Sequence, residues 1–182
     1  ILAQKYNCKP YFKGNLEQAI IDNVNVDAVI IASSEWSRLN PIEIAVNYKK
    51  HILYEKPMAS SLNEAKHIYK IFQSVDNKIL ILPVFNLRFS PQYNSAKERI
   101  INNEIGEIRH IISKRNGNKK IAKRIMSKMS PFYWLSPHEI DLIRWFTNSE
   151  VDFVEAHEKK FENETDGFLI ANIAMINSVL VQ

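Results

Sequence analysis

Two residues of opposite charge, Glu55 and Lys56, stand next to each other where an apolar segment of the chain ends. The segment from His51 to Tyr54 is apolar and aromatic, and Pro57 has no backbone N–H to give to a sheet, so we expect a strand that stops at Lys56. In open parallel α/β sheets, ligands bind outside the carboxyl ends of the strands. A lysine there can donate to a substrate oxygen and, when partly desolvated, can take part in proton transfer. An exposed ion pair that closes the strand is the alternative interpretation.

Three apolar runs rich in β-branched residues include this point, at residues 26–33, 51–56 and 78–84. Two segments with helical spacing separate them; one begins at Asn40-Pro41 and the other at the capping box Ser61-x-x-Glu64. The order strand, helix, strand, helix, strand predicts a doubly wound parallel sheet of the α/β class. The nearly continuous apolar character of the run at residues 26–33 predicts a strand buried on both faces.

The pattern changes after residue 84. Ser90-Pro91 predicts a helix start, and Ser136-Pro137-His138-Glu139 predicts a second one that opens a helix to about Phe146. Further strands are predicted at residues 108–115, 151–161 and 167–176, and the last two follow each other without a helix, which favours an antiparallel or mixed sheet. We therefore expect an α/β domain over residues 1–84 and an α+β domain with a mostly antiparallel sheet over residues 85–182.

The composition limits the class of protein. The 182 residues, 46% of them hydrophobic, suffice for one or two small domains, and the net charge of +4 demands no polyanionic partner. No apolar run approaches the roughly 20 residues of a membrane span, and the single cysteine, Cys8, suits a reducing compartment. We expect a cytoplasmic protein that binds neither nucleic acid nor membrane. Because the chain opens as if inside a helix and closes as if inside a strand, we also expect a piece of a longer protein, truncated at both ends.

One segment, residues 114–128, contains seven basic residues and no acidic residue. A solvated, mobile loop is the interpretation that such a charge run favours. A clamp for substrate phosphates is a second interpretation. Nucleic-acid binding is a third, and it is the weakest because no recognised nucleic-acid-binding module surrounds the segment.

Five segments in order carry a family resemblance. They are Asp27-Ala-Val-Ile-Ile-Ala-Ser33, Lys50-His-Ile-Leu-Tyr-Glu-Lys-Pro57, Phe85-x-x-Arg88-Phe89-x-Pro91, Ile105-Gly-Glu-Ile108 and Pro137-His138-x-x-Asp141. In type and spacing they resemble the Gfo/Idh/MocA oxidoreductases, which include glucose–fructose oxidoreductase and inositol dehydrogenase. The resemblance covers most of the chain.

The resemblance implies a two-domain enzyme that uses NAD or NADP to move a hydride to or from a carbinol carbon of a sugar, a cyclitol or a nucleotide sugar. It implies a Rossmann domain followed by a second domain with a large, mostly antiparallel sheet. The cofactor would carry the hydride chemistry, while the protein orients it and handles one proton. A homo-oligomer is also expected, because one face of the second sheet would otherwise stay uncovered.

The resemblance also indicates the residues of the site. Lys56 and His138 are the expected catalytic residues, and Arg88 is expected to join them in binding substrate. The expected cofactor-binding residues lie at the strand ends: Ala32, Ser33, Ser34, Glu35, Arg38, Glu55, Lys56 and Pro57. The predicted helix start places His138 in a first turn, where free N–H groups favour a neutral imidazole that can accept a proton. No His, Cys and Asp cluster has metal-ligand spacing, so no metal is expected.

Three departures from the family pattern bear on function. The glycine-rich phosphate loop is absent, since no glycine precedes Gly14, and we expect truncation rather than divergence to be the reason. The family pattern Ala-Thr-Pro-Asn-x-x-His reads Ala32 to Arg38 here, with Glu35 and Arg38 as new charges. Trp134 stands where members commonly have Asp. A dehydrogenase and a cofactor-binding but non-catalytic sensor or partner subunit therefore both remain, and the substrate, the direction and the choice between NAD and NADP are open.

Overall fold

The computed structural model describes residues 2–11, 15–23, 25–75, 78–118, 131–160 and 167–182. The chain divides into two compact units, Ile1–Val84 (unit 1) and Phe85–Gln182 (unit 2). The described elements of unit 1 are α1 (Leu2–Lys5), α2 (Leu16–Asp22), β1 (Ala28–Ile31), α3 (Leu39–Asn47), β2 (His51–Glu55), α4 (Leu62–Gln73) and β3 (Ile81–Val84). Those of unit 2 are a 3-10 helix (Asn86–Phe89), α5 (Pro91–Ile101), β4 (His110–Ile111), α6 (Pro131–Thr147), β5 (Val151–Lys160), β6 (Gly167–Met175) and β7 (Leu180–Val181).

Unit 1 is a parallel three-stranded sheet in the order β1-β2-β3, which confirms the predicted α/β class. The strands are shorter than predicted, and β1 and β2 are aligned so that Ile31 pairs with Tyr54. The side chains of α3 and α4 complete the core; Ile42 and Ile68 are fully buried beside Ile52 of the sheet. This packing places the ends of β1 and β2 side by side.

Only one face of the unit 1 sheet is buried by the described residues, so the prediction of a β1 buried on both faces was wrong. Val29 and Ile31 lie in the core, whereas Ile30 of the opposite face is 72% exposed and Leu82 of β3 is 57% exposed. The buried residues of α2, α3 and α4 belong to a single cluster with Val29 and Ile31. A continuous apolar run indicates that a strand can be buried on both faces. Whether both faces are buried depends on the elements that pack against them.

Unit 2 contains a four-stranded sheet in the order β4-β7-β6-β5. The pairs β5–β6 and β6–β7 are antiparallel and β4–β7 is parallel, which confirms a mostly antiparallel sheet. Ile143 of α6 packs with Met175, Val179 and Val181, and these residues form the buried cluster of the unit. The sheet therefore has its core on the α6 side.

Two expectations for unit 2 need correction. The strand expected over residues 108–115 is limited to His110–Ile111, because only these two residues are in register with residues of β7. The helix expected to begin at Ser136-Pro137 begins at Pro131 instead and contains Pro137 in its interior. Both prolines suit a first helical position, and the upstream one occupies it. Pro137 removes one hydrogen bond from the helix without ending it.

Among the described helices, none has both the length and the apolar character that crossing a membrane requires. The longest, α6, contains the charged residues Glu139, Asp141 and Arg144 along its length.

Candidate active site

The expected cofactor-binding residues of unit 1 lie at the carboxyl edge of its parallel sheet. Because Ile31 and Tyr54 are register partners, the residues that follow β1 and β2 leave the sheet at the same edge. Ala32 and Ser34 are exposed there, and Ser33, Glu55 and Lys56 are half-buried. The peptide bond between Lys56 and Pro57 is cis, and Pro57 is buried. This is the edge at which open α/β sheets bind their ligands.

After β1 the chain forms a tight turn held by its own serines. The Ser37 N–H donates to the Ser34 carbonyl at 3.0 Å, and the Ser37 hydroxyl donates to the same carbonyl at 3.1 Å. The Ser33 hydroxyl donates to the Ser37 carbonyl at 3.2 Å. Glu35, at the centre of the turn, is 7% exposed. The hydroxyl that Ser33 keeps from the family's Thr therefore shapes the turn.

Arg38 ends this turn, and its guanidinium points into the protein. Its Nε and Nη2 donate to the Ser33 carbonyl at 3.3 and 3.2 Å, and its Nη1 donates to the carbonyls of Glu55 and Pro57. Arg38 is only 3% exposed. Burial lowers the pKa of this guanidinium, and the carboxylates of Glu35, Glu55 and Glu64 oppose that effect. The structure therefore gives the Arg38 guanidinium three backbone acceptors, and the expected contact with the cofactor stays a prediction.

The N-terminus of α4, the next helix along this edge, is occupied by a carboxylate of its own chain. The Glu64 N–H donates to Ser61 Oγ at 3.3 Å, as the capping box predicted. The Glu64 carboxylate reaches Ser60 instead of Ser61, accepting from its N–H at 2.7 Å and from its hydroxyl at 2.6 Å. This helix start is therefore already supplied with a negative charge and offers no open site for a phosphate.

The residues of unit 1 fit one end of a dinucleotide and lack the means to hold the other. The edge of the sheet carries the small side chain of exposed Ala32, the hydroxyl of exposed Ser34 and the ammonium of half-buried Lys56. The chain has four glycines and no Gly-x-Gly sequence, so it contains no glycine-rich turn to receive a pyrophosphate. The site present in this chain suits the reacting ring of a nicotinamide cofactor.

In unit 2, the second expected catalytic residue, His138, lies half-buried on α6. Because the helix begins at Pro131, His138 is about two turns inside it. The argument that free N–H groups of a first turn favour its neutral form therefore does not hold. Trp134 lies one turn before His138 on the same helix, at the position where the family pattern has Asp.

Arg88, expected to bind substrate, is bound to a carboxylate of its own unit. Its Nε and Nη2 donate to the two oxygens of Asp141, each at 2.7 Å, and Asp141 is 4% exposed. The Arg88 guanidinium also lies 5.6 Å from the centroid of the Trp145 ring. The pair joins the 3-10 helix to α6, one turn beyond His138. Asp141 belonged to the recognised Pro-His-x-x-Asp segment, but the sequence did not indicate its partner.

A cleft of about 650 Å³ in unit 2 was not foreseen from the sequence. It lies between α6, the inner side of β6 and the segment that follows β4. Arg115 crosses its rim, donating from Nε to both oxygens of Glu139 at 2.7 Å, and this hydrogen bonding raises the pKa of Arg115. Ser136 and Glu139, the neighbours of His138 on α6, line the cleft. In the sequence, Glu139 of the Ser136-Pro137-His138-Glu139 segment is the residue that could have indicated it.

Two further expectations concern the basic segment and metal binding. Residues 119–128 of the basic segment 114–128 lie outside the described residues. Within the part of the chain that is described, no three His, Cys, Asp or Glu side chains are grouped as a metal site would need.

Known proteins with similar sequences include two inositol dehydrogenases. The myo-inositol 2-dehydrogenase of Thermotoga maritima is 26% identical over 149 residues, which cover 81% of this chain and 44% of that protein. The scyllo-inositol 2-dehydrogenase (NAD(+)) of Bacillus subtilis is 30% identical over 146 residues, covering 79% of this chain and 42% of that protein. The chain thus spans less than half the length of these relatives.

The fold is also that of solved structures. The scyllo-inositol dehydrogenase of Lactobacillus casei, solved with NAD(H) and scyllo-inositol, superposes with a TM-score of 0.78 at 24% identity, over 98% of this chain and 55% of that chain. Residues 1–82 match the model of the oxidoreductase family with an NAD-binding Rossmann fold, and residues 93–182 match the Gfo/Idh/MocA C-terminal domain. Both halves of the sequence and the fold as a whole agree, and the chain belongs to the Gfo/Idh/MocA family of oxidoreductases.

Proposed function

We propose that the whole protein is an NAD(P)-dependent oxidoreductase that transfers a hydride to or from a carbinol carbon of a sugar, a cyclitol or a nucleotide sugar. The observation that carries the proposal is the position of Lys56, directly after β2 at the carboxyl edge of the parallel sheet. The named activities of the inositol dehydrogenases of Thermotoga maritima and Bacillus subtilis support the same reaction class.

Lys56 is suited to the oxygen of the reacting carbon. Its ammonium donates a hydrogen bond to a hydroxyl or carbonyl oxygen and, in its neutral form, accepts the hydroxyl proton while the C–H bond breaks. In the reverse direction the same group returns the proton to the new alkoxide oxygen. A nicotinamide ring, when bound, supplies the other half of the reaction by accepting or giving the hydride.

His138 is the second candidate for handling the proton. A neutral imidazole accepts a proton at one nitrogen and holds a hydrogen bond at the other. We assign it to substrate binding and proton transfer together with Lys56. Arg88 supports α6 through Asp141, so we assign its contribution to the placement of that helix.

A direct assay tests the proposal. The whole protein is incubated with NAD or NADP and a panel of cyclitols, aldoses and nucleotide sugars, and reduced nicotinamide is followed by its absorbance. We expect turnover with at least one polyol or sugar, abolished or severely reduced in Lys56→Ala. Binding of NAD or NADP without turnover of any substrate class would instead support the non-catalytic sensor or partner subunit, which the tryptophan at position 134 favours.

The whole protein is further proposed to be a homo-oligomer. Phe153, Phe168, Ile170 and Leu180 lie on the side of the unit 2 sheet opposite to its buried cluster, as the pairings of Ala174 with Phe153 and with Leu180 require. All four are exposed. Glu155, His157, Lys159 and Asn172 share this face with them. Exposed apolar side chains on such a mixed face support an interface that an isologous partner covers.

A further inference from the structure

Arg38 makes a set of contacts that take no direct part in the proposed hydride and proton transfer. Its guanidinium donates to three backbone carbonyls, of Ser33, Glu55 and Pro57. Glu55 and Pro57 are the two neighbours of Lys56 in the chain. One nitrogen, Nη1, serves both of these carbonyls, while Nε and Nη2 serve Ser33 after β1.

These contacts connect two strand ends that no described ladder pairing joins. The pairing of β1 with β2 ends at Ile31 and Tyr54. Glu55 still pairs with Val84 of β3, but no strand pairing joins the residues after Ile31 to those after Tyr54. Arg38 bridges them where the ladder stops. Because the carbonyls before and after Lys56 are both held, the backbone from which its side chain extends is fixed relative to the turn after β1.

The chemistry of arginine suits this task better than that of lysine. A guanidinium is planar and carries five N–H donors in fixed directions, whereas an ammonium carries three donors on one atom. Hydrogen bonds from a charged donor are stronger than neutral ones, particularly in a buried place such as this one, where Arg38 is 3% exposed. Glu35, Glu55 and Glu64 supply the negative charge that a buried cation requires.

We propose that Arg38 is a positioning residue for Lys56: by binding the carbonyls of Glu55 and Pro57 and tying them to Ser33, it aims the catalytic ammonium. The assignment rests on the proposed function only in calling Lys56 catalytic; the aim of the side chain can be measured without turnover. The alternative is a purely structural role, in which loss of Arg38 weakens unit 1 and leaves the local environment of Lys56 unchanged.

The first test uses the reactivity of the lysine itself. In the whole protein, lysines are acylated with N-acetoxysuccinimide over a series of pH values, and the extent at Lys56 and at Lys50, just before β2, is read by peptide mass spectrometry. The variants are Arg38→Ala and Arg38→Lys, with Arg99→Ala as the control that removes an exposed arginine of unit 2. We expect the pH profile of Lys56 to shift in Arg38→Ala, with Lys50 unchanged, and to stay as in the wild type in Arg99→Ala.

The second test uses kinetics and rescue. In Arg38→Ala, kcat should fall by about 10²-fold, the loss that a misplacement of about 1 Å causes, with a much smaller change in KM. Arg38→Lys should lose less, and guanidinium ion, added below the concentration at which the variant unfolds, should restore part of the kcat of Arg38→Ala. Arg99→Ala should keep the kcat of the wild type.

Several outcomes decide the proposal. A folded Arg38→Ala protein with the wild-type Lys56 profile and wild-type kcat would overturn it. An equal change at Lys50 and Lys56 would assign Arg38 a structural role and would also overturn it. If Arg38→Ala does not fold, Arg38→Lys carries both measurements. If the wild type turns over no substrate, the proposed function fails, while the acylation profiles still decide whether Arg38 aims Lys56.

Discussion

At the scale of single residues, the division of the proton transfer between Lys56 and His138 is the point most open to mutation. In the wild-type chain, Trp134 takes the place of the family's carboxylate one helical turn before His138, so position 134 offers no negative charge to stabilise an imidazolium. Because α6 begins at Pro131, His138 is not in its first turn, and the tryptophan at position 134 is the reason to expect His138 to carry a smaller share of the proton transfer. Lys56, at a strand end, does not depend on position 134.

We therefore expect Lys56→Ala in the whole protein to lower kcat by about 10² to 10⁴, the range for a lost acid–base group. His138→Ala should lower kcat by less. Lys50→Ala, at the other end of β2, serves as the control and should keep normal turnover. Steady-state kinetics with a substrate found in the panel assay measure all three. Near-normal turnover of Lys56→Ala beside an inactive His138→Ala would reverse the two roles.

At the scale of secondary-structure elements, the ion pair of Arg88 and Asp141 connects the 3-10 helix to α6. Removing one partner of a buried pair leaves a charge without compensation and costs about 3–5 kcal/mol. The Arg88 side chain is 38% exposed, so water will offset part of this cost. We expect Arg88→Met to lower the free energy of unfolding by about 2–3 kcal/mol.

The same helix provides the control for this prediction. Arg144 makes a bidentate pair with Glu150 at 2.7 Å, but both side chains are exposed. Arg144→Met should therefore cost about 1 kcal/mol or less. Denaturant unfolding followed by circular dichroism gives both values. Equal losses in the two variants would show that the burial of Asp141 does not set the strength of the Arg88 pair.

A second element-scale prediction concerns the segment that precedes α2. Lys9, Gln18 and Tyr11 donate to Asp22 at 2.7, 2.6 and 2.8 Å, and they lower the pKa of Asp22 from 3.8 to about 2. Because the folded pKa lies below the unfolded value, the stabilising contribution is complete above about pH 4 and is lost as the pH falls through about 2. The attachment of Lys9 and Tyr11 to α2 should weaken in that window.

The NMR shifts of the Tyr11 ring report this attachment. In the wild type they should change between about pH 4 and about pH 2, and in Asp22→Asn the change should be absent from that window. Glu17→Gln, on the same helix, is the control and should keep the wild-type profile. A Tyr11 profile in Asp22→Asn identical to the wild type would assign the transition to another group.

At the scale of the whole molecule, the exposed face of the unit 2 sheet predicts self-association. Phe168 and Ile170 are about half exposed and lie on the same side of β6. A double variant, Phe168→Lys with Ile170→Lys, places two like charges on that face and should dissociate the oligomer, because a desolvated charge without a partner opposes association. Tyr69→Lys, on the exposed side of α4 in unit 1, is the control and should leave the oligomer intact.

Sedimentation velocity of the whole protein at micromolar concentration measures the assembly. A monodisperse monomer in the wild type would contradict the oligomer. An unchanged oligomer in the double variant, with dissociation in Tyr69→Lys, would place the interface on another surface.

The amino-acid sequence by itself determined those features that depend on neighbouring residues. Ser90 and Pro91 stand at the N-cap and first position of α5, and Ser61 caps α4, as predicted. The alternation of strands and helices along the sequence indicated the parallel sheet, because this order is typical of α/β folds in which helices connect parallel strands. Lys56 could also be singled out from the sequence, because the strand before it must stop at a proline that has no N–H to donate.

Tertiary structure alone decided the contacts between residues that are far apart in the chain. Arg38 reaches carbonyls 17 and 19 residues away, Arg115 reaches Glu139 across 24 residues, and Arg88 reaches Asp141 across 53. The sequence did not indicate these partners: packing brought backbone carbonyls to the Arg38 guanidinium and the buried Asp141 carboxylate to that of Arg88. The predicted contacts of Arg38 with the cofactor and of Arg88 with substrate stay predictions. The fold determines which acceptors lie close to a cation that is removed from water, and local sequence patterns do not identify those acceptors.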